Sequence, residues 1–62
     1  MQSITLKAAR VNAGFTRAQV AEQVGKSEST IKNWELGKHY PTQPDIEKLC
    51  ELYGVSYDYL RF

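Results

Sequence analysis

Residues 16–37, TRAQVAEQVGKSESTIKNWELG, hold two helix signals with almost no chain between them. Thr16-Arg17-Ala18-Gln19 has the S/T-x-x-E/Q form of a capping box, in which Thr16 and Gln19 satisfy each other's free N–H groups. Phe15, just before the cap, is placed to staple onto Val20. Gly25 stops this helix, because glycine enters the left-handed region without a Cβ clash. Ser27 then caps the next helix, with Glu28 suited to the positive end of its dipole. A link as short as Gly25–Ser27 cannot fold two helices back antiparallel, so they must cross steeply around a small residue. Ala21 is that residue, and Val20, Val24, Ile31 and Trp34 supply the apolar wedge. The opposite side of the second helix is then left open, with Glu28, Ser29, Lys32 and Asn33 along it and Leu36 at its end.

The flanking segments predict three more short helices. Ser3 is placed to cap a first helix running to about Ala13, with Gly14 after it and an inward stripe of Leu6, Ala9, Arg10 and Ala13. Gly37 ends the third helix, and His39-Tyr40-Pro41 is a loop. Thr42 or Gln43 opens a fourth helix that tolerates Pro44 in its first turn, turns Ile46, Leu49, Cys50 and Tyr53 inward, and ends at Gly54. Ser56 is expected to cap a last helix from Tyr57 to about Phe62, laying Tyr59 or Leu60 on the core. The expected fold is all-α: five short helices in a compact domain. None is long enough to hold alone in water, so mutual packing must stabilise them.

Composition removes several classes of function. A lone cysteine, Cys50, forms no internal disulfide, and no Cys/His spacing suggests a metal site or any other cofactor. No apolar run approaches the roughly 20 residues of a membrane span, and the start has no signal-peptide h-region, so a reducing, cytoplasmic setting without membrane contact is expected. Ser29-Thr30-Ile31-Lys32 matches the Ser-x-x-Lys spacing of some serine nucleophiles, but no other catalytic group accompanies this short motif, and the chain does not read as an enzyme. The formal net charge is +1, unevenly spread. Residues 1–40 carry Lys7, Arg10, Arg17, Lys26, Lys32 and Lys38 against Glu22, Glu28 and Glu35. Residues 41–62 carry Lys48 and Arg61 against Asp45, Glu47, Glu51 and Asp58. A basic front and an acidic back would orient the chain toward a polyanion.

Ala21, Gly25 and Ile31, with Val20, Val24 and Trp34 around them, resemble the helix-turn-helix of phage Cro/CI-type repressors, the XRE family. GFTRAQVAEQVGKSESTIKNWELGK is similar to that family's core motif, and IEKLCELYGVSYDYL to its common ending. The resemblance covers nearly the whole chain. It implies one lambda-repressor-like domain over residues 1–62, with the helix-turn-helix at about 17–36, whose third helix enters the major groove of double-stranded DNA. It implies a backbone-clamping role for Arg17, and a buried Arg10–Glu35 bridge that explains the arginine in the first helix's apolar stripe.

An α-helix fits the major groove with its N-terminal residues at base edges. Asn33 can pair with adenine, Lys32 donate to guanine, Ser29 bond to either partner, and Glu28 accept from cytosine N4. Thr16 and Lys38 join Arg17 as phosphate candidates. Blander readings stand beside these: Glu28 as a dipole complement, Arg17 paired with Glu22, and Ser29, Lys32 and Asn33 as a solvated face. A homodimer on a two-fold operator is expected, with Tyr57, Tyr59 and Phe62 as candidate contacts. The favoured reading is a sequence-specific transcriptional regulator, a repressor of phage or mobile-element type. The rival is a helix-turn-helix interaction module, an antirepressor or antitoxin whose partner is another regulator protein.

Overall fold

The computed structural model describes residues 3–61. Its elements run β1 (Ile4–Thr5), α1 (Leu6–Ala13), α2 (Arg17–Val24), α3 (Glu28–Leu36), α4 (Gln43–Tyr53), a single 3₁₀ turn (Tyr57–Tyr59) and β2 (Leu60–Arg61). Leu6 and Ala9 from α1, Val20, Ala21 and Val24 from α2, Ile31 and Trp34 from α3, Leu49 and Tyr53 from α4, and Leu60 form one core. Burial of this set drives folding at about 1.5–3 kcal/mol for each large apolar side chain removed from water.

The local signals at the middle helices set the observed boundaries. Thr16 and Ser27 cap α2 and α3 with their side-chain oxygens, and Thr42 opens α4. Pro44 occupies the first turn of α4, where a missing N–H costs no helical hydrogen bond. Gly25 closes α2 at φ 72°, and its N–H donates to the Ala21 carbonyl. A Cβ built on Gly25 meets no atom within 4 Å. The glycine is therefore demanded by backbone conformation rather than by space.

Both ends of the chain depart from the sequence reading. Ser3 does not cap α1. Thr5 does, its Oγ1 accepting from the Ala8 N–H at 3.1 Å. The residues between are extended because β1 pairs in parallel with β2, Ile4 opposite Leu60 and Thr5 opposite Arg61. The fifth helix is likewise corrected. Ser56 makes no side-chain cap, the 3₁₀ turn lasts three residues, and the chain straightens into β2, giving four α-helices among the described residues. Extending the backbone there buries Leu60 and satisfies polar groups on both terminal segments, which a last helix would leave to water. Phe62 lies outside the described residues.

In α4 the stripe is narrower than periodicity suggests: Leu49 and Tyr53 are buried, Ile46 and Cys50 half-buried. Burial and the neighbouring Glu47 carboxylate push the Cys50 thiol pKa up. Asp45 is buried as the third helical residue, where its Oδ2 accepts from the Thr42 hydroxyl at 2.9 Å in a second capping box.

Gly25→Ala should lower stability by about 1–2 kcal/mol, the cost of a left-handed alanine with no steric clash to add. Thermal unfolding followed by circular dichroism should show a Tm lower by roughly 4–8 °C per kcal/mol lost. An unchanged Tm would mean that the turn does not need its left-handed residue.

Candidate nucleic-acid interface

Thr16 Oγ1 accepts from the Gln19 N–H at 3.1 Å, and Gln19 Oε1 accepts from the Thr16 N–H at 2.9 Å. The N–H groups of Arg17 and Ala18 in the same turn have no intrahelical acceptor, and with the helix dipole they favour an anion. At the start of α3, Ser27 Oγ accepts from the Thr30 N–H at 3.1 Å and lies 2.9 Å from the Thr30 hydroxyl. Glu28 follows as the first helical residue, its carboxylate at the positive end of α3.

The crossing of α2 over α3 brings these two helix starts together. Arg17 from α2 and Glu28, Ser29 and Lys32 from α3 line one open depression of about 330 Å³. Glu28, Ser29 and Lys32 are exposed, while Ile31 and Trp34 are buried on the other side of the same helix. Among the described residues the Arg10–Glu35 pair is the one ion pair within 4 Å. Arg17 is therefore not paired with Glu22, and neither Arg17 nor Lys32 closes on Glu28. The face presents cationic donors, a hydroxyl and an acceptor-only carboxylate, none of them cancelled by a salt bridge.

The remaining site candidates are more dispersed. Asn33 is half-buried and does not line the depression, and its backbone carbonyl accepts from the Lys38 N–H at 3.0 Å, beyond the helix end. Lys38 is exposed at the opposite end of α3 from Glu28, and Thr16 is exposed beside Arg17. Tyr57 is exposed and Tyr59 half-buried in the 3₁₀ turn. Among the described residues no group of His, Cys, Asp and Glu could hold a metal ion, and no helix is long and apolar enough to cross a membrane.

Beneath the face, a charge cluster fixes how α3 sits. Arg10 Nε donates to Glu35 Oε2 at 2.7 Å and Nη2 to Oε1 at 3.5 Å, with side chains 10% and 6% exposed. Arg10 Nη1 donates to the Phe15 carbonyl at 2.8 Å. One guanidinium thus joins α1, the α1–α2 link and α3. The Phe15 carbonyl was not foreseen from sequence, because a backbone acceptor leaves no residue-type signal. The Phe15 ring packs on Tyr53 with centroids 6.4 Å apart. The Tyr53 phenol is pushed up to about 12, by burial first and then by the Glu35 carboxylate, with Arg10 opposing.

Two short helices packed together across the three-residue link 25–27, presenting one polar face on a buried scaffold, have the architecture of a helix-turn-helix. Residues 4–61 match the family profile of the helix-turn-helix domain, and the chain belongs to the XRE-type helix-turn-helix family. It is similar to the HTH-type transcriptional regulator ImmR of Bacillus subtilis (strain 168), 38% identical over 55 residues that cover 89% of this chain and 43% of that protein. It is also similar to the HTH-type transcriptional activator BcrR of Enterococcus faecalis, 33% identical over 55 residues that cover 89% of this chain and 27% of that protein. The chain spans less than half the length of these curated relatives. No solved structure matches it.

Removing one partner of the buried pair leaves an uncompensated charge, so Arg10→Met or Glu35→Leu alone should cost about 3–5 kcal/mol. Total stability for a chain of this size is roughly 3–9 kcal/mol. The double variant should recover most of the loss in urea unfolding, and three variants equal to wild type would dismiss the pair's structural role. The folded chain holds the Tyr53 proton to about 12, against 10.0 ordinarily. Between those values the unfolded state sheds it first, so stability should fall as pH rises through that window. In Tyr53→Phe that decline should be shallower, and identical pH profiles would count against the assignment.

Proposed function

We propose that this chain is a sequence-specific regulator of transcription that binds double-stranded DNA in the major groove through α3, with residues 1–62 acting as one domain. The observation that carries this reading is the two-sided character of α3: Ile31 and Trp34 hold it to the core while Glu28, Ser29 and Lys32 stand outward beside Arg17. An exposed helix start of this kind matches the groove in width, and its side chains carry the donors and acceptors that base edges recognise. The family, and relatives named as transcriptional regulators, support it independently.

In this reading Glu28, Ser29, Lys32 and Asn33 meet base edges, whereas Thr16, Arg17 and Lys38 meet phosphates. Arg17 supplies a charge beside the free N–H groups that begin α2, so one phosphate can be gripped by both. Two copies bind half-sites about 34 Å apart, joined through the C-terminal aromatic segment of Tyr57, Tyr59 and Phe62. The protein acts in the cytoplasm of a bacterial cell as a repressor of phage or mobile-element type. Occupying a promoter blocks it sterically and requires no contact with a further protein.

Random-site selection with the purified chain, followed by titration at several salt concentrations, tests the proposal. Affinity should fall with salt at a log–log slope of about −0.9 per neutralised phosphate. Asn33→Ala should relax preference at one base position, at a cost of about 1–3 kcal/mol for the favoured base. Arg17→Ala should weaken all sites alike and reduce the slope by about 1. Binding that is absent at every salt concentration would overturn the reading in favour of a protein-binding module. Unchanged profiles for both variants would overturn the residue roles.

A further inference from the structure

The mixed charge on the outward face of α3 carries more information than its helix-turn-helix placement. Most of what a protein meets on DNA is negative, so a bare carboxylate on the reading face is unfavourable unless a donor receives it. Glu28 is such a carboxylate: exposed, at the start of α3, and lining the same depression as Arg17, Ser29 and Lys32. Among the described residues no ion pair within 4 Å includes it. Lys32 stands four residues on, one turn along the same side of the helix, so the two side chains are surface neighbours. One has acceptors only and the other donors only.

We propose that Glu28 and Lys32 act together on a single C·G base pair, the Glu28 carboxylate accepting from cytosine N4 and the Lys32 ammonium donating to guanine O6 and N7. This rests on the DNA-binding reading above and deepens it by naming the base pair. The choice among the four pairs follows from the groove's donor and acceptor order. Cytosine offers one donor with no acceptor on its outer side, and its guanine partner offers two adjacent acceptors. An A·T pair also has a donor beside an acceptor, but adenine N7 flanks the donor and repels the carboxylate, while thymine leaves Lys32 one acceptor and a methyl group. The reversed pairs, G·C and T·A, place acceptors before Glu28. Either residue alone reads one base. The pair reads both strands of one step, and so fixes the orientation of the base pair.

Charge reversal tests this on the folded chain, because Glu28 and Lys32 are both exposed. Random-site selection with wild type is followed by competition among duplexes that differ at the single selected position. Wild type should prefer C·G over the alternatives by about tenfold. Glu28→Gln should move the preference at that position to A·T, since glutamine pairs with adenine N6 and N7. Glu28→Lys combined with Lys32→Glu should move it to G·C. All other positions should keep their profile. Specific, salt-sensitive binding that persists while Glu28→Gln and the reversed variant leave every position unchanged would overturn this inference and spare the DNA-binding reading. No specific binding by wild type would overturn both.

Discussion

The orientation of α3 depends on the buried contact between Arg10 and Glu35. Helices of eight or nine residues have few side chains with which to lock their rotation about their own axes. A guanidinium that spends its Nε and Nη2 on Glu35 and its Nη1 on the Phe15 carbonyl removes that freedom. Such a pair adds little net stability, because the cost of taking both charges from water offsets their attraction. Its effect is geometric. With Glu35 held inward, the helical repeat puts Ile31 and Trp34 in the core and turns Ser29 and Lys32 toward solvent, while Glu28, seven residues before Glu35, is exposed as the first residue of the helix. A quarter-turn error would bury a charge and expose a tryptophan.

The same pair shapes the field outside. Arg10 and Glu35 cancel within the interior, so the N-terminal half shows the solvent Lys7, Arg17, Lys26, Lys32 and Lys38 against Glu22 and Glu28. The acids of α4 belong to another element. A formal charge of +1 therefore understates how polar the chain is from one side to the other. The unneutralised groups around the depression also belong to two different helices, so the crossing angle, set by Ala21 and its apolar neighbours, decides their spacing.

What the sequence made legible was whatever short-range chemistry controls. Capping at Thr16 and Ser27 and the left-handed glycine at 25 are decided within four residues, and the structure agrees at each. The inward sides of α2 and α3 followed from periodicity. The terminal segments did not. Leu60 pairs with Ile4 across almost the full chain, and nothing near either residue announces the other. The burial of Asp45 has no signal in residue type, and the Thr42 hydroxyl makes it tolerable. Periodicity marked Arg10 as a charge in an apolar stripe, and the family resemblance supplied its partner. The depression needed three dimensions: Arg17 and Glu28 are separated by a whole helix and a turn, and only the crossing angle places them side by side.

The parallel contact between β1 and β2 bears on the order in which the molecule assembles. Closing a loop that encloses nearly every residue carries the largest entropy penalty of any contact here, while α2 and α3 meet across three residues. The helix pair can therefore organise early, and the terminal clasp can close only on a body that is already formed. Run backwards, the clasp is only two residues long, so the ends can fray before the helices part, although Leu60 then leaves the core it shares with Ile31 and Trp34.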